Sequence, residues 1–477
     1  ALGVDSAAHT GAIEAGGKTA AVLGNGFGAN YLSSNEELRN RISHNGAVIT
    51  EYPPYTPAIA RNFPIRNRII SGLAHGTVVI EAGVKSGSLI TANTALEQGR
   101  DVFAVPGDVM SEKFRGVHKL INDGAISSQK FTVDPKPLDP NVPSDFLKNF
   151  VFNKFMYSVQ DKYDAQLEKL GLVDKNAYTC TCYMDEVGNK PNKGEVLSWA
   201  ESSAVVYANS VLGAKCNRNS GIIELFGSIV GCVPYFGLLT DEGRKATWVV
   251  EVKTSKKPEA QILGSAIGMK VMEDVPFIKG LDKWLGTELD GDTCAYLKDF
   301  GAATASNGAV GLYHIENLTP EAVEQGEALV VDGAKTYVID DAELERVKNN
   351  YPVMWKDKNA APKLCFVGCP HLSFNQLVEW TNNVADGLKA NGLKKVSVPT
   401  VFTAAPGVID KFNETPYAQK LKATGVVLSY ICPLMYMNNP LAKSMAVITN
   451  SNKLRTYTTS RYYTSDEILS IITKEVK

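Results

Sequence analysis

The chain has eight cysteines, all at or beyond position 180: Cys180, Cys182, Cys216, Cys232, Cys294, Cys365, Cys369 and Cys432. Three of them stand beside turns or prolines, in "CTCY" (180–183), "GCPH" (368–371) and "ICPL" (431–434). A disulfide, a zinc site, a metal cluster and plain burial are all open for such thiols. Separations of 189 and 63 residues exclude a zinc ribbon, which needs close pairs. Thiolates from distant loops can converge on an iron–sulfur cluster. Three ligands in place of four would leave one iron open to act as a Lewis acid on a substrate hydroxyl. The other thiols read as small buried hydrophobes.

A second stretch is dense in hydrogen-bonding groups. "GEVLSWAESSAVVYANSVLGAKCNRNSG" (194–221) holds Glu201, Ser202, Ser203, Asn209, Ser210, Asn217 and Arg218 among apolar residues that carry a helix into a core. Each buried polar group must find a partner. A polar pocket and a set of satisfied structural groups both account for them.

The elements that position these residues are α/β. At 477 residues, 44% hydrophobic and 21% charged, the chain is ordinary globular material for two to four domains. A net charge of −2 gives no overall field for nucleic acid or membrane. There is no apolar run long enough for a transmembrane helix and no signal peptide, so the expected compartment is the cytoplasm, with reduced thiols. In the cysteine-free first part, "TAAVLG" (19–24), "AVITEY" (47–52), "TVVIEAG" (77–83) and "DVFAVPG" (101–107) alternate with helical patterns. That alternation predicts a doubly wound parallel sheet. The chain opens on a helix with no strand before it.

The Ser-Gly-Ser turn at 86–88 precedes a helix whose first N–H groups suit a phosphate; a plain connection capped by Ser88 is the other reading. Arg61, Arg66 and Arg68 lie in "RNFPIRNRIISGL". The proline-rich stretch 129–146 reads as a linker, followed by an amphipathic helix ending at Gly171.

Four motifs in order, "GVDSAAHTGAIEAGGKTAAVLGNG", "NFPIRNRIISGL", "EAGVKSGSLITANTALEQGRDVFAVPG" and "GVHKLINDGA", resemble the DNA-processing DprA (Smf) family. That resemblance implies a Rossmann-like fold over residues 1–128, single-stranded DNA binding and RecA loading. It would place Arg66, Arg68, Lys85, Ser86, Gly87 and Ser88 near the DNA pocket. The family's first strand and its Gly-Ser/Thr-Arg loop would precede Ala1. The segment is therefore expected to be a truncated sheet with an unpaired or substituted strand edge.

From "CTCYMDEVGNKPNKGEVLSWAESSAVVYANSVLGAKCNRNSG" through "GAATASNGAVGLYHIENLTPEA", "VGCPHLSFNQL" and "TNSNK", the remainder resembles the catalytic large subunit of aconitase X. That implies a multi-layer aconitase-type α/β fold over residues 147–477. It also implies a hydro-lyase acting on a small hydroxy acid, such as phosphomevalonate or cis-3-hydroxy-L-proline, through an iron–sulfur cluster of 2Fe–2S or 4Fe–4S type. A separate small swivelling subunit would be the partner. By resemblance Cys180, Cys369 and Cys432 are the cluster ligands, and Cys182, where the family has proline, is a bystander. Ser451 takes the position of the catalytic base, aided by Lys453. His371 orients a ligand, donates to the leaving hydroxyl or is structural. Glu201, Ser202, Ser203, Asn217 and Arg218 line the substrate pocket. Val196 replaces a histidine of the family, and "NRNSG" replaces "NREGG". The family's first layer is not recognisable, so the expected architecture is a fusion of two truncated proteins. An enzyme is the leading reading; a DNA-binding module and a non-functional fusion are the alternatives.

Overall fold

The computed structural model describes residues 3–105, 111–122, 129–139, 157–174, 176–439 and 442–475, together with Gly124, Ser127 and Val142. The chain divides into two compact units: residues 1–128 with 161–170, and residues 129–160 with 171–477.

In the first unit the four apolar runs become short strands, β1 (Ala20–Val22), β2 (Ala47–Ile49), β3 (Gly76–Val79) and β4 (Asp101–Ala104). Helices α1 (Val4–Glu14), α2 (Glu36–Asn45), α3 (Asn62–Leu73) and α4 (Gly87–Glu97) alternate with them. Every pairing is parallel, as helix-linked strands require, but the strands form two separate pairs, β1–β2 and β3–β4, in place of the single expected sheet. β1 and β3 line one cavity of about 740 Å³, and no described strand lies between them. The helix Gln160–Leu170 buries Leu167 and Leu170, and its Asp161–Leu170 portion belongs to this unit.

The second unit holds two parallel sheets. One has the order β10 (Val330–Ile339), β7 (Ala246–Val252), β8 (Pro276–Lys279), β9 (His314–Ile315). The other has the order β13 (Val427–Ser429), β12 (Thr400–Ala404), β11 (Leu364–Leu372), β14 (Val447–Thr449), β15 (Arg461–Tyr462). A two-residue pair, β5 (Val196–Leu197) with β6 (Lys215–Cys216), stands apart from both. β11, "LCFVGCPHL", is buried along its whole length, as a central parallel strand covered on both faces must be. Its alternation sends Leu364 and Phe366 to one core, Cys365 and Val367 to the other. The register then slips between Val367 and Leu372, where Gly368 takes φ 108°. A Cβ there would run into the carbonyl of Thr403. The slip returns Cys369 to the Leu364–Phe366 side, which simple alternation would deny it.

The helices carrying the site are α5 (Ser202–Ser210), α6 (Ala260–Val271), α7 (Gly291–Gly308), α8 (Phe374–Ala390) and α9 (Asn452–Tyr457). α6 and α7 cross at bare backbone: a Cβ on Gly308 would fall on the carbonyl of Gly268. Gly308→Ala is therefore expected to destabilise the second unit by about 3 kcal/mol. A lowered denaturation midpoint with an unchanged m-value checks this; an unmoved midpoint would mean the helices part freely.

The stretch 129–139, expected as linker, is built into the second unit. Phe131 bridges to Leu172, Val133 bridges to Tyr178, and Asp139 accepts from Ser429 Oγ at 2.7 Å. The rest of the expected linker, apart from Val142, lies outside the described residues. No described helix is long and apolar enough to cross a membrane.

Candidate active site

The carboxyl edge of a parallel sheet is where open α/β folds collect their ligand groups. Here β11 carries Cys369 just past the slip at Gly368, β13 runs on to Cys432, and β14 runs on to Ser451. Cys180 arrives from the loop after the Val133–Tyr178 bridge.

His371 ties these segments together. Its backbone N–H donates to Cys180 Sγ at 3.4 Å. Its ring bonds Thr179 Oγ1 through Nδ1 at 2.9 Å and the Ile431 carbonyl through Nε2 at 3.1 Å. Thr179 and Ile431 are the residues immediately before Cys180 and Cys432. One fully buried imidazole thus pins all three cysteine-bearing segments. Burial drives its pKa down to about 4, so the ring is neutral and both nitrogens are occupied, with none left over for a leaving hydroxyl. His371→Ala should cost about 3 kcal/mol by orphaning Thr179 and the Ile431 carbonyl. Chemical denaturation checks this; unchanged stability would refute the pinning role.

Burial raises all three thiols: Cys180 well above its ordinary value, Cys369 upward, and Cys432 to about 12. Cys369 adds to the rise of both Cys180 and Cys432, so the three share one electrostatic neighbourhood. Lys453 opposes the rise at each. Among the described residues, no three His, Cys, Asp or Glu side chains are arranged to hold a single metal ion. Cys182 is buried in the core cluster that holds Tyr183, Ala204 and Tyr207, with Thr132 bonding its thiol and Glu201 and Asp134 acting on it.

Ser451 is buried and caps α9: its Oγ accepts from the Leu454 N–H at 3.1 Å. It also bonds the Cys369 thiol. Lys453, two residues on, forms an ion pair with Glu201, which caps α5 through the Ala204 N–H at 2.8 Å. Burial pulls the ammonium down, but Glu201, Cys369 and Cys180 outweigh it, so its net pKa is raised. Ser203 Oγ donates to the same Glu201 carboxylate.

Sequence reading missed Asp134, which shares the electrostatic neighbourhood of Glu201 and Lys453 from inside the expected linker. Its carboxyl is raised by desolvation and by Glu201, and lowered by Lys453. An Asp before a proline in "FTVDPKP" looks like turn chemistry, and only the bridges of Phe131 and Val133 reveal its place.

Other expected pocket residues are elsewhere. Asn217 spends its amide on the Phe236 carbonyl (2.9 Å) and the Leu238 N–H (2.8 Å). Asn209 braces Cys216, Gly311 and Arg244, and Ser210 accepts from the Tyr313 N–H. Much of the polar density at 194–221 is therefore structural. Arg218 is exposed, and its electrostatic neighbours are Tyr457 and Glu273. Ser202 begins α5 beside Glu201.

In the first unit Arg66 donates to the Val22 carbonyl at the end of β1 and lies over Phe63. Arg66, Gly87 and Ser88 line the 740 Å³ cavity. Arg68 is paired with Glu51, and Lys85 is exposed. Ser86, not Ser88, caps α4, accepting from the Ser88 N–H at 3.3 Å.

This chain belongs to the aconitase X family, with a DprA/Smf segment joined at its N-terminal side. Residues 109–242, 246–349 and 362–471 match the models for the aconitase X first, second and third domains, and residues 1–133 match that for DNA recombination-mediator protein A. The two matches overlap at 109–133.

The phosphomevalonate dehydratase large subunit of Thermococcus kodakarensis is 35% identical over 66% of this chain and 78% of its own length. The cis-3-hydroxy-L-proline dehydratase of Hypocrea jecorina is 29% identical over 59% of this chain and 46% of its own length. DprA of Streptococcus pneumoniae is 46% identical over 26% of this chain, which spans 44% of that relative's length. The crystal structure of Thermococcus kodakaraensis aconitase X in its holo form shares the fold, with a TM-score of 0.60 at 24% identity, over 93% of this chain and all of the other. The large-subunit relatives are dehydratases, and the chain falls with them in the hydro-lyase class.

Proposed function

We propose that the second unit dehydrates a small hydroxy acid at an iron–sulfur centre held by Cys180, Cys369 and Cys432. The observation that carries this reading is the pinning of all three cysteine segments by His371, which brings thiols far apart in sequence to one place. The donor set fits such a group: three thiols on segments tied to one histidine, with Cys369 acting on both of the others, are the sulfur donors an iron–sulfur core takes. When bound, the centre would supply Lewis acidity toward a substrate hydroxyl.

The chain's own residues supply the rest. Ser451 takes the proton from carbon. The Leu454 N–H on its oxygen and the Lys453 ammonium nearby both favour the oxyanion. Glu201 fixes Lys453 by their ion pair, and both act on the Asp134 carboxyl. The substrate carries a carboxylate or phosphate, as phosphomevalonate and cis-3-hydroxy-L-proline do, and the aconitase X small subunit closes the site.

The test is to reconstitute the chain anaerobically with iron and sulfide, add an aconitase X small subunit, and follow alkene formation from these two hydroxy acids. Turnover of one of them is expected. An iron-loaded chain that turns over neither would overturn the reading.

A second reading concerns the first unit: Arg66 and the Gly87–Ser88 turn facing one cavity favour single-stranded DNA as a ligand, with RecA as its family's partner. Fluorescence anisotropy with labelled oligo-dT should rise for the chain and not for Arg66→Glu; equal binding by both would sink it.

A further inference from the structure

Lys298 lies within α7 with its side chain 1% exposed, a burial that lysine tolerates only with a partner. Its Nζ donates to Oδ1 of Asp299 at 2.7 Å. Adjacent helix residues do not face one another, so this pair is not the usual surface stabiliser of a helix. Its direction is set from outside the helix. Asp299 Oδ2 accepts from Gln376 Nε2 at 2.8 Å. Gln376 also closes the capping box with Ser373 at the start of α8, directly after β11. Asp299 and Gln376 line a cavity of about 180 Å³ with Gly368 and Cys369. The chain Lys298–Asp299–Gln376 therefore leads from the interior of α7 to the first turn of α8, directly after the strand that carries Cys369. The positive charge of Lys298 is felt at Cys369 and at His371. Lys453 and Glu201 are the other charged groups acting on Cys369, which itself acts on Cys180 and Cys432.

We propose that Lys298, held by Asp299 and Gln376, is a positioning residue that sets the reduction potential of the centre on Cys369; this rests on the proposed iron–sulfur reading. Reduction adds negative charge to the centre, and a fixed cation in a low-dielectric interior stabilises the added charge. Removing the cation must shift the midpoint negative. Removing the compensating carboxylate while keeping the cation must shift it positive.

The experiment is a mediated dithionite titration, followed optically, of the anaerobically reconstituted full chain and of Lys298→Met, Lys298→Arg and Asp299→Asn. Expected are a negative shift for Met, a value near the parent for Arg, and a positive shift for Asn, at equal iron content. A packing defect would move both Met and Asn in one direction. Coincident midpoints, or shifts of the same sign, overturn the inference and leave the iron–sulfur reading standing. A parent chain that binds no centre overturns both. If Lys298→Met fails to fold, Asp299→Asn alone decides: a positive shift supports the inference, and no shift or a negative one ends it.

Discussion

Serine at any one of positions 180, 369 or 432 is expected to strip the anaerobically reconstituted chain of its visible colour and most of its iron, while Cys182→Ser keeps both. The reason is positional. Cys180, Cys369 and Cys432 are carried by segments that His371 fastens to one another, and Cys369 perturbs both of its companions. Cys182, two residues from Cys180, is buried in the core cluster that holds Tyr183 and Tyr207. Thiolate is the ligand that iron–sulfur chemistry requires, and a hydroxyl in its place does not hold the core. Iron and acid-labile sulfide per chain, measured for all four variants, check this. A Cys182→Ser protein that loses its iron, or a Cys369→Ser protein that keeps it, would show that the wrong thiols have been chosen.

Lys453→Met is expected to reduce turnover by about two to three orders of magnitude, the scale of losing one preorganised electrostatic partner of a reacting group. It is also expected to cost about 4 kcal/mol of stability, because it leaves the Glu201 carboxylate unpaired in a site that is only 15% exposed. The two effects separate in the double variant Lys453→Met/Glu201→Gln. With no stranded charge, most of the stability returns, but the activity does not, since only the Leu454 N–H then favours the Ser451 oxyanion. Denaturation midpoints and steady-state rates of the three proteins make the comparison. Recovery of both properties together would mean that the ion pair is architectural only.

Turns and prolines beside Cys180, Cys369 and Cys432 set these cysteines apart in the sequence, and the resemblance to aconitase X made them the proposed ligands. The carboxyl-edge position of Cys369 was not legible, since it depends on the register slip at Gly368, which no period-2 pattern announces. Parallel pairing in the first unit followed from strands alternating with helices, while its division into two pairs needed coordinates. The polar run at 194–221 suited either a pocket or a set of structural groups. Asn209, Ser210 and Asn217 satisfy backbone groups, a use that composition does not distinguish from ligand binding. Asp134 was hidden in prolines. Lys298 was hidden by its type, since lysine in a helix usually means a solvated face, and its burial comes entirely from the neighbours that α7 meets.

Iron and acid-labile sulfide, counted on the full chain purified and reconstituted without oxygen, test the central claim most directly. The account predicts about two or four irons per chain, matched by sulfide, with the brown absorption of an iron–sulfur centre. A folded, colourless chain that takes up no iron under those conditions would contradict it.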